Sequence, residues 1–249
     1  MTTTTLTRTR ALATAEFRQL LRNRTLLFSA TVFPLCIPMF VVLAGRDAID
    51  GAELLGRAFE LYLLMALCFV QFYTVLSMSV TRRGEGVLRR LRTGEARDRE
   101  IRMAIAAPGA VATLVFGGVV GVAGAIAVDT APVNAALSAA ALGAGAVVAA
   151  GLGFATGGVT KNAEAAQLTS LPVIVLASAS STLVRDALRL IVPDAVVRIL
   201  DRNPFAVLFD LGRAGWTGDG DVPRLLCLAV VWAVVCAWAG VRYMKWDRR

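Results

Sequence analysis

The sequence lacks the residue types on which most enzyme sites depend. It contains no histidine, and only 18% of its 249 residues are charged. A Walker A phosphate loop needs Gly-Lys followed by Ser or Thr. Neither of the two lysines, Lys161 and Lys245, follows a glycine. The chain is therefore expected to carry no phosphate loop of its own.

The four cysteines do not indicate a metal site or a disulfide framework either. They all lie within apolar runs and lack the spacing of a zinc site or a disulfide framework. We interpret them as small apolar packing residues. No nucleophile stands near a candidate base, so we predict no catalytic residue, no metal site and no bound cofactor. The cysteines are Cys36, Cys68, Cys227 and Cys236.

Long apolar runs dominate the sequence instead, and 57% of the residues are hydrophobic. Runs of roughly 20 apolar residues match the length that an α-helix needs to cross a ~30 Å hydrocarbon layer. The pattern predicts an all-α membrane protein with six transmembrane helices, forming a single domain over residues 1–249. The expected spans cover residues 25–44, 61–80, 104–128, 135–157, 168–183 and 225–241.

The basic residues are distributed unevenly between the two sides of these spans. Of the 26 arginines and lysines, 18 fall in segments on the side of both termini and 8 on the other. The positive-inside rule then predicts cytoplasmic N and C termini in a bacterial cytoplasmic (inner) membrane. Because the arginines lie between apolar runs and form no basic face on a folded domain, nucleic-acid binding is not expected.

Residues 1–24 read as a basic amphipathic helix lying along the cytoplasmic headgroups before the first span. Phe17 and Leu21 belong to its apolar face, while Arg18 and Arg22 lie elsewhere. A simple charged leader is the alternative. No short apolar region ends in a cleavage site, so the first span is expected to remain attached. Residues 242–249 are expected to form a cytoplasmic tail.

Two features of the later chain predict how the helices pack. Gly117 and Gly121, like Gly153 and Gly157, are four residues apart, which allows close approach of helices inside lipid. Residues 184–222 alternate apolar pieces with charges and prolines. This pattern predicts two short re-entrant helices on the outer side, before the last span.

The expected spans are almost free of acids and lysines, with Glu60 only at the outer edge of the second span. Proton-coupled transport is therefore not expected. A few polar and aromatic residues in spans two and five are candidates for lining a substrate path. For each of them, the alternative is a hydrogen bond between packed helices. They are Gln71, Tyr73, Ser77, Thr169 and Ser178.

The loop over residues 81–94 carries the most specific pattern. Val87, Leu88 and Leu91 form a small apolar face among arginines. Such a helix is expected to insert its apolar side chains into a groove of a cytosolic partner, while its arginines pair with acids or anionic lipid. An ordinary positive-inside loop is the alternative.

This loop also resembles a known signature. The run Glu85, Gly86, Val87, Leu88, Arg89, Arg90, Leu91, Arg92 is similar to the coupling helix of ABC-2 type permeases, "E-x-G-T-L-x-R-L-R", which daunorubicin-type drug exporters share. It lacks one residue before the glycine, and Val87 replaces the threonine. Residues 16–24 resemble the connecting helix of that family, and Asn203-Pro204-Phe205 resembles its outer segment. Ser180-Ser181 stands where the family commonly has Ser-Gly.

The resemblance implies a permease subunit that pairs with a second permease, identical or paralogous, and with a cytosolic ABC ATPase. Residues 85–92 would couple to that ATPase, which would hold the ATP and Mg. The cargo would be a hydrophobic or amphipathic drug, lipid, peptide or glycolipid, and antibiotic resistance is one expected outcome. The residues themselves leave two other classes open. One is a membrane scaffold or immunity subunit that binds a cytosolic partner, and the other is a lipid enzyme, disfavoured because no active site is evident.

Overall fold

The computed structural model describes residues 24–93 and 97–246, and within these ranges the chain forms ten helices and no strand. The predicted all-α class is confirmed for this part of the chain. The predicted interfacial helix, with Phe17, Arg18, Leu21 and Arg22, lies outside the described residues. The helices are α1 (Arg24–Gly45), α2 (Gly51–Gly84), α3 (Val87–Thr93), α4 (Asp98–Val128), α5 (Ala135–Val159), α6 (Ala165–Ala179), α7 (Thr182–Arg189), α8 (Asp194–Leu200), α9 (Pro204–Thr217) and α10 (Val222–Tyr243).

Four of the described helices, α2, α4, α5 and α10, are long and apolar enough to cross a membrane. Together, α6 and α7 qualify as a fifth candidate, bent by 75° at the break between them. Helix α1 contains an apolar stretch, Val32–Gly45, that is shorter than these candidate spans. Pro34 and Pro38 lie inside this helix. The chain is therefore a multi-pass membrane protein with four to five candidate spans in its described part.

Two predicted spans differ from the observed helices. The second begins at Gly51 rather than near residue 61, because Asp50 caps α2 by accepting hydrogen bonds from the Ala52 amide (3.1 Å) and the Glu53 amide (3.4 Å). Glu60, expected at the edge of this span, lies well inside the helix. The fifth span was expected to continue to residue 183, but α6 ends at Ala179.

The hydrophobic core is centred on α2, whose side chains are mostly buried. Its middle, Ala66–Phe72, is a π-helical segment with wider i→i+5 turns. Helices α5 and α9 pack against it. From α9, the side chains of Phe205, Leu208 and Phe209 are fully buried.

The segment before the last span contains three short helices where two were expected. The unexpected helix is α9, which lies in the interior of the protein rather than at its surface. Its start and end are set by ordinary signals: Asn203 accepts hydrogen bonds from the Phe205 amide (2.9 Å) and the Ala206 amide (3.2 Å), and Gly218 closes the helix at φ +77°.

Small residues allow the helices to approach closely, as predicted. A Cβ at Gly117 would lie 2.8 Å from Leu142 Cδ1 across the α4–α5 contact. A Cβ at Gly153 would lie 2.9 Å from the Phe72 carbonyl of α2. Without the hydrophobic drive that water provides, such backbone contacts are a main source of helix association in lipid.

The described loops gather at two ends of the bundle. One end, here called the basic end, holds the last turns of α2, α5 and α10, the first turn of α4, and α3. Contacts of Arg83 with Gly157, and of Gly158 with the Tyr243 carbonyl, join these elements. The other end, here called the outer end, holds the first turn of α2 and α7–α9, joined by contacts such as that between Glu53 and Arg213.

Candidate functional site

Helix α3 lies at the basic end and begins at a backbone turn that suits only glycine. Gly86 has φ +73°, and its carbonyl accepts a hydrogen bond from the Arg90 amide at 3.2 Å. The side chain of Leu88, the second residue of the helix, is fully buried. It belongs to a cluster drawn from α2, α4, α5 and the residue after α10: Val75, Ile101, Ile105, Ala150, Phe154 and Met244.

The sequence predicts Leu88 as an apolar contact for a partner, whereas in this chain its side chain is buried. Its side chain already fills a pocket of this chain, and Leu91 packs against the same cluster while half-buried. The surface that α3 presents to solvent is charged. The exposed residues of α3 are Arg89, Arg90, Arg92 and Thr93, and Glu85 is exposed just before the helix.

Trp246 links α3 to the end of the described chain. The Arg92 guanidinium carbon lies 5.4 Å from the centre of its ring, and that of Arg102 lies 5.8 Å away. Arg92 also forms an ion pair with Asp98 at 3.4 Å. Each exposed cation–π contact contributes about 0.5–1 kcal/mol. The tryptophan thus ties α3, the start of α4 and the residues after α10 together.

Arg83 joins α2 to α5 beside this cluster. Its guanidinium donates one hydrogen bond to the Gly157 carbonyl at 2.7 Å and a second to the Thr160 carbonyl. These carbonyls lie at the end of α5, where the helix dipole favours a cation. The ends of α2 and α5 beside α3 are therefore held together by hydrogen bonds as well as by apolar packing.

A second polar site, which we call the outer cluster, lies at the outer end and includes Glu60, Thr182, Arg185, Asp201 and Asp210. The Glu60 carboxylate accepts hydrogen bonds from the Thr182 hydroxyl (2.8 Å) and the Thr182 amide, at the first turn of α7. Arg185 donates to Asp201 at 3.2 Å and to Asp210 at 2.9 Å, and its side chain is only 6% exposed.

The outer cluster surrounds the bend between α6 and α7. Ser180, at the bend, is fully buried and accepts a hydrogen bond from Asn203 Nδ2 at 2.8 Å. The direction of α7 is thereby set by α2 on one side and by α9 on the other. The outer cluster is not evident from the sequence because Glu60 and Thr182 are 122 residues apart.

The predicted path residues do not form one group. In the middle of α2, about one residue per turn is not fully buried. These residues form a stripe on one side of the helix that includes Tyr73 and Ser77. Gln71 is buried on another side of α2, where its Nε2 donates to the Ala106 carbonyl at 3.3 Å beside a groove of about 370 Å³. The α2 stripe consists of Leu61, Met65, Phe69, Tyr73 and Ser77.

The two candidates on α6 lie apart from this stripe. The Thr169 hydroxyl is 2.8 Å from that of Thr160, at the basic end. Ser178 is exposed near the opposite end of α6. The structure therefore groups only Tyr73 and Ser77 among the five predicted path residues.

Comparison with known proteins agrees with this architecture. The family model described as "ABC-2 type transporter" matches residues 7–215, which is most of the chain. No curated protein matches it significantly. Members of this family are membrane subunits of transporters and carry no nucleotide-binding domain of their own. The chain therefore belongs to the ABC-2 type transporter family and is a membrane transport subunit.

Proposed function

We propose that this chain is the permease subunit of a bacterial ABC exporter with six spans and its basic end in the cytoplasm. The six spans would be α1, α2, α4, α5, the bent pair α6–α7, and α10. The excess of arginine and lysine at the basic end supports this orientation. A separate cytosolic ATPase would bind and hydrolyse the ATP with its Mg.

The burial of Leu88 is the observation that carries this proposal. Because its side chain belongs to one apolar cluster with residues of α2, α4 and α5, a force applied to α3 would reach three spanning helices through that cluster. The interior is close-packed, so a rigid displacement at such a contact is transmitted rather than absorbed. The exposed Arg89 and Arg90 would bind acidic groups of the ATPase, and ATP-driven motion would then shift the spans.

Reversing the charge of this surface tests the proposal. The double variant Arg89→Glu/Arg90→Glu, co-expressed with the cytosolic ABC ATPase of the proposed complex, is expected to lose most of the co-purified ATPase. Both side chains are exposed, so the variant should insert and fold normally. The measurement is the ATPase-to-permease ratio after affinity purification in mild detergent.

The matched control is Arg198→Glu/Arg224→Glu, which makes the same charge change on exposed residues of the outer end. It should retain the ATPase at the wild-type ratio. An equal loss in both variants, or a normal ratio in the Arg89/Arg90 variant, would show that α3 is not the ATPase contact.

For the cargo, we propose that the α2 stripe lines the path between this chain and a second permease, identical or paralogous. A stripe of apolar and aromatic side chains with one serine hydroxyl suits a hydrophobic or amphipathic molecule. Phe69 and Tyr73 would supply contact area, and Ser77 a hydrogen bond. We do not assign Gln71, Thr169 and Ser178 to the path, because they form hydrogen bonds between helices or lie outside the stripe.

Truncation of the stripe tests this assignment. With daunorubicin as a fluorescent amphipathic probe, Tyr73→Ala should lower probe-stimulated ATP hydrolysis about five- to tenfold and leave basal hydrolysis unchanged. The control is Val111→Ala, which shortens an exposed side chain of α4. If the two variants respond alike, the stripe is not the path for this probe.

A further inference from the structure

Both lysines of this chain lie on the wall of one cavity. The cavity has a volume of about 660 Å³ and opens at the basic end, between the last turn of α2, the residues after α5 and the residues after α10. Lys161 and Lys245 line it, although they are 84 positions apart in the sequence. Everywhere else the chain uses arginine for its 24 other basic side chains.

The positions of the two lysines are fixed by their neighbours. Lys161 follows Thr160, which is buried and whose carbonyl accepts a hydrogen bond from Arg83. Lys245 lies between the buried Met244 and the stacked Trp246. A Cβ at Gly158 would overlap the Tyr243 carbonyl, so glycine is what allows the end of α10 to approach α5 here.

Among the described residues, the lining of the cavity carries an excess of positive charge. Arg83 also lines it, and Glu85 is the one acidic residue of its described lining. Within the described residues, neither lysine has a carboxylate within ion-pair distance. A lysine ammonium is a compact charge with three donors and a common ligand of phosphate, whereas arginine favours planar, bidentate pairing.

The surroundings of the cavity indicate which phosphate would fit. It lies where three candidate spans end, and its wall includes Val80 and Val159, the latter 70% exposed. Cations beside an apolar, lipid-facing rim match a phospholipid, whose headgroup would enter the cavity while its acyl chains follow the rim.

We infer that this cavity binds the phosphate headgroup of an anionic phospholipid, with Lys161 and Lys245 as its ligands. The inference requires the chain to be embedded in a membrane but does not depend on α3 binding an ATPase. A bound lipid here would touch the ends of α2, α5 and α10 together.

Native mass spectrometry of the purified chain tests the inference, with phosphatidylglycerol and phosphatidylcholine offered separately. The wild-type chain should retain phosphatidylglycerol more strongly. Lys161→Gln/Lys245→Gln should weaken that retention about 30-fold, since each lysine near anionic lipid contributes about a factor of five. If the double variant does not fold, each single variant should show about a fivefold loss.

The matched control is Arg99→Gln/Arg242→Gln, which removes two exposed charges at the basic end outside the cavity. It should retain phosphatidylglycerol as the wild type does. Equal retention of the two lipids by the wild type, or equal losses in both double variants, would overturn the inference.

Two further measurements separate the lipid from other anionic ligands. Inorganic phosphate at the same concentration as the lipid should not displace phosphatidylglycerol, because it has no acyl chains. Displacement would assign the cavity to free phosphate and overturn the lipid inference. Normal lipid retention by Lys161→Gln/Lys245→Gln, together with loss of the co-purified ATPase, would overturn it in favour of a protein contact.

Discussion

The arginines on the surface of α3 and those paired with acids at the outer end lie in opposite surroundings. At the basic end, Arg89 and Arg90 are exposed and belong to a surface with few acids. At the outer end, Arg185 is buried against Asp201 and Asp210, and Arg213 pairs with Glu53 at 2.9 Å. Arginine is therefore solvent-exposed on α3, whereas Arg185 and Arg213 form internal ion pairs at the outer end.

This difference has an energetic basis. A buried guanidinium is stable only while its acidic partners and hydrogen bonds compensate for lost hydration. An exposed guanidinium keeps its hydration and contributes little to folding. Substitutions at the outer end should therefore affect stability, whereas those on the surface of α3 should affect association.

The largest effect is expected from Arg185→Ala. This change leaves Asp201 and Asp210 without their buried partner and should cost about 3–5 kcal/mol of unfolding free energy. Reversible unfolding in mixed micelles measures it. Arg198→Ala, on an exposed arginine of α8, is the control and should have little effect. Comparable losses would mean that the ion pairs of the outer cluster do not stabilise the fold.

Leu88→Ala tests the buried side of the basic end. Removing a fully buried leucine should cost about 2–5 kcal/mol, because a cavity opens among α2, α4 and α5. The same unfolding measurement applies. Val87→Ala, on the half-buried neighbour, should cost clearly less. If the two costs are equal, α3 is not anchored through Leu88.

Glu60→Gln should have a smaller effect, about 1–2 kcal/mol. Glutamine keeps one acceptor oxygen near Thr182 but loses the charge that strengthens both hydrogen bonds. The melting temperature in detergent reports the change. Asp47→Asn removes an exposed acid of the same end, with a side chain 91% exposed, and should leave the melting temperature unchanged. A stable Glu60→Gln protein would show that the charge at this position is dispensable.

Arg90→Gln should have the smallest effect on stability, with the melting temperature within about 1 °C of wild type, because the side chain is exposed. It should still weaken ATPase co-purification, which separates association from folding. A large drop in melting temperature would instead place Arg90 in the internal architecture, like Arg185.

Much of the architecture was predictable because it follows from local pattern. Apolar runs marked α2, α4, α5 and α10, and glycine spacing marked the close contacts of Gly117 and Gly153. What failed was the interpretation of mixed segments. Two short helices were predicted in residues 184–222 and α9 was overlooked, although its Asn203-Pro204 start and its Gly218 end are sequence signals of a helix.

The candidate site was predicted in part. The signature over residues 85–92 located α3, but it could not show that Leu88 points inward, because an amphipathic helix has the same pattern whether its apolar face meets a partner or its own bundle. The outer cluster could not be predicted, and neither could the cavity that Lys161 and Lys245 both line, since the residues involved are far apart in sequence.

By itself, the sequence determined that this protein is helical, lies in a membrane and has one strongly basic side, because hydropathy and charge act along the chain and need no knowledge of packing. Only the tertiary structure decided which charges are internal and which are available to partners. Burial depends on which helices meet, and in lipid that choice is made by close backbone contacts and buried polar bonds between distant residues.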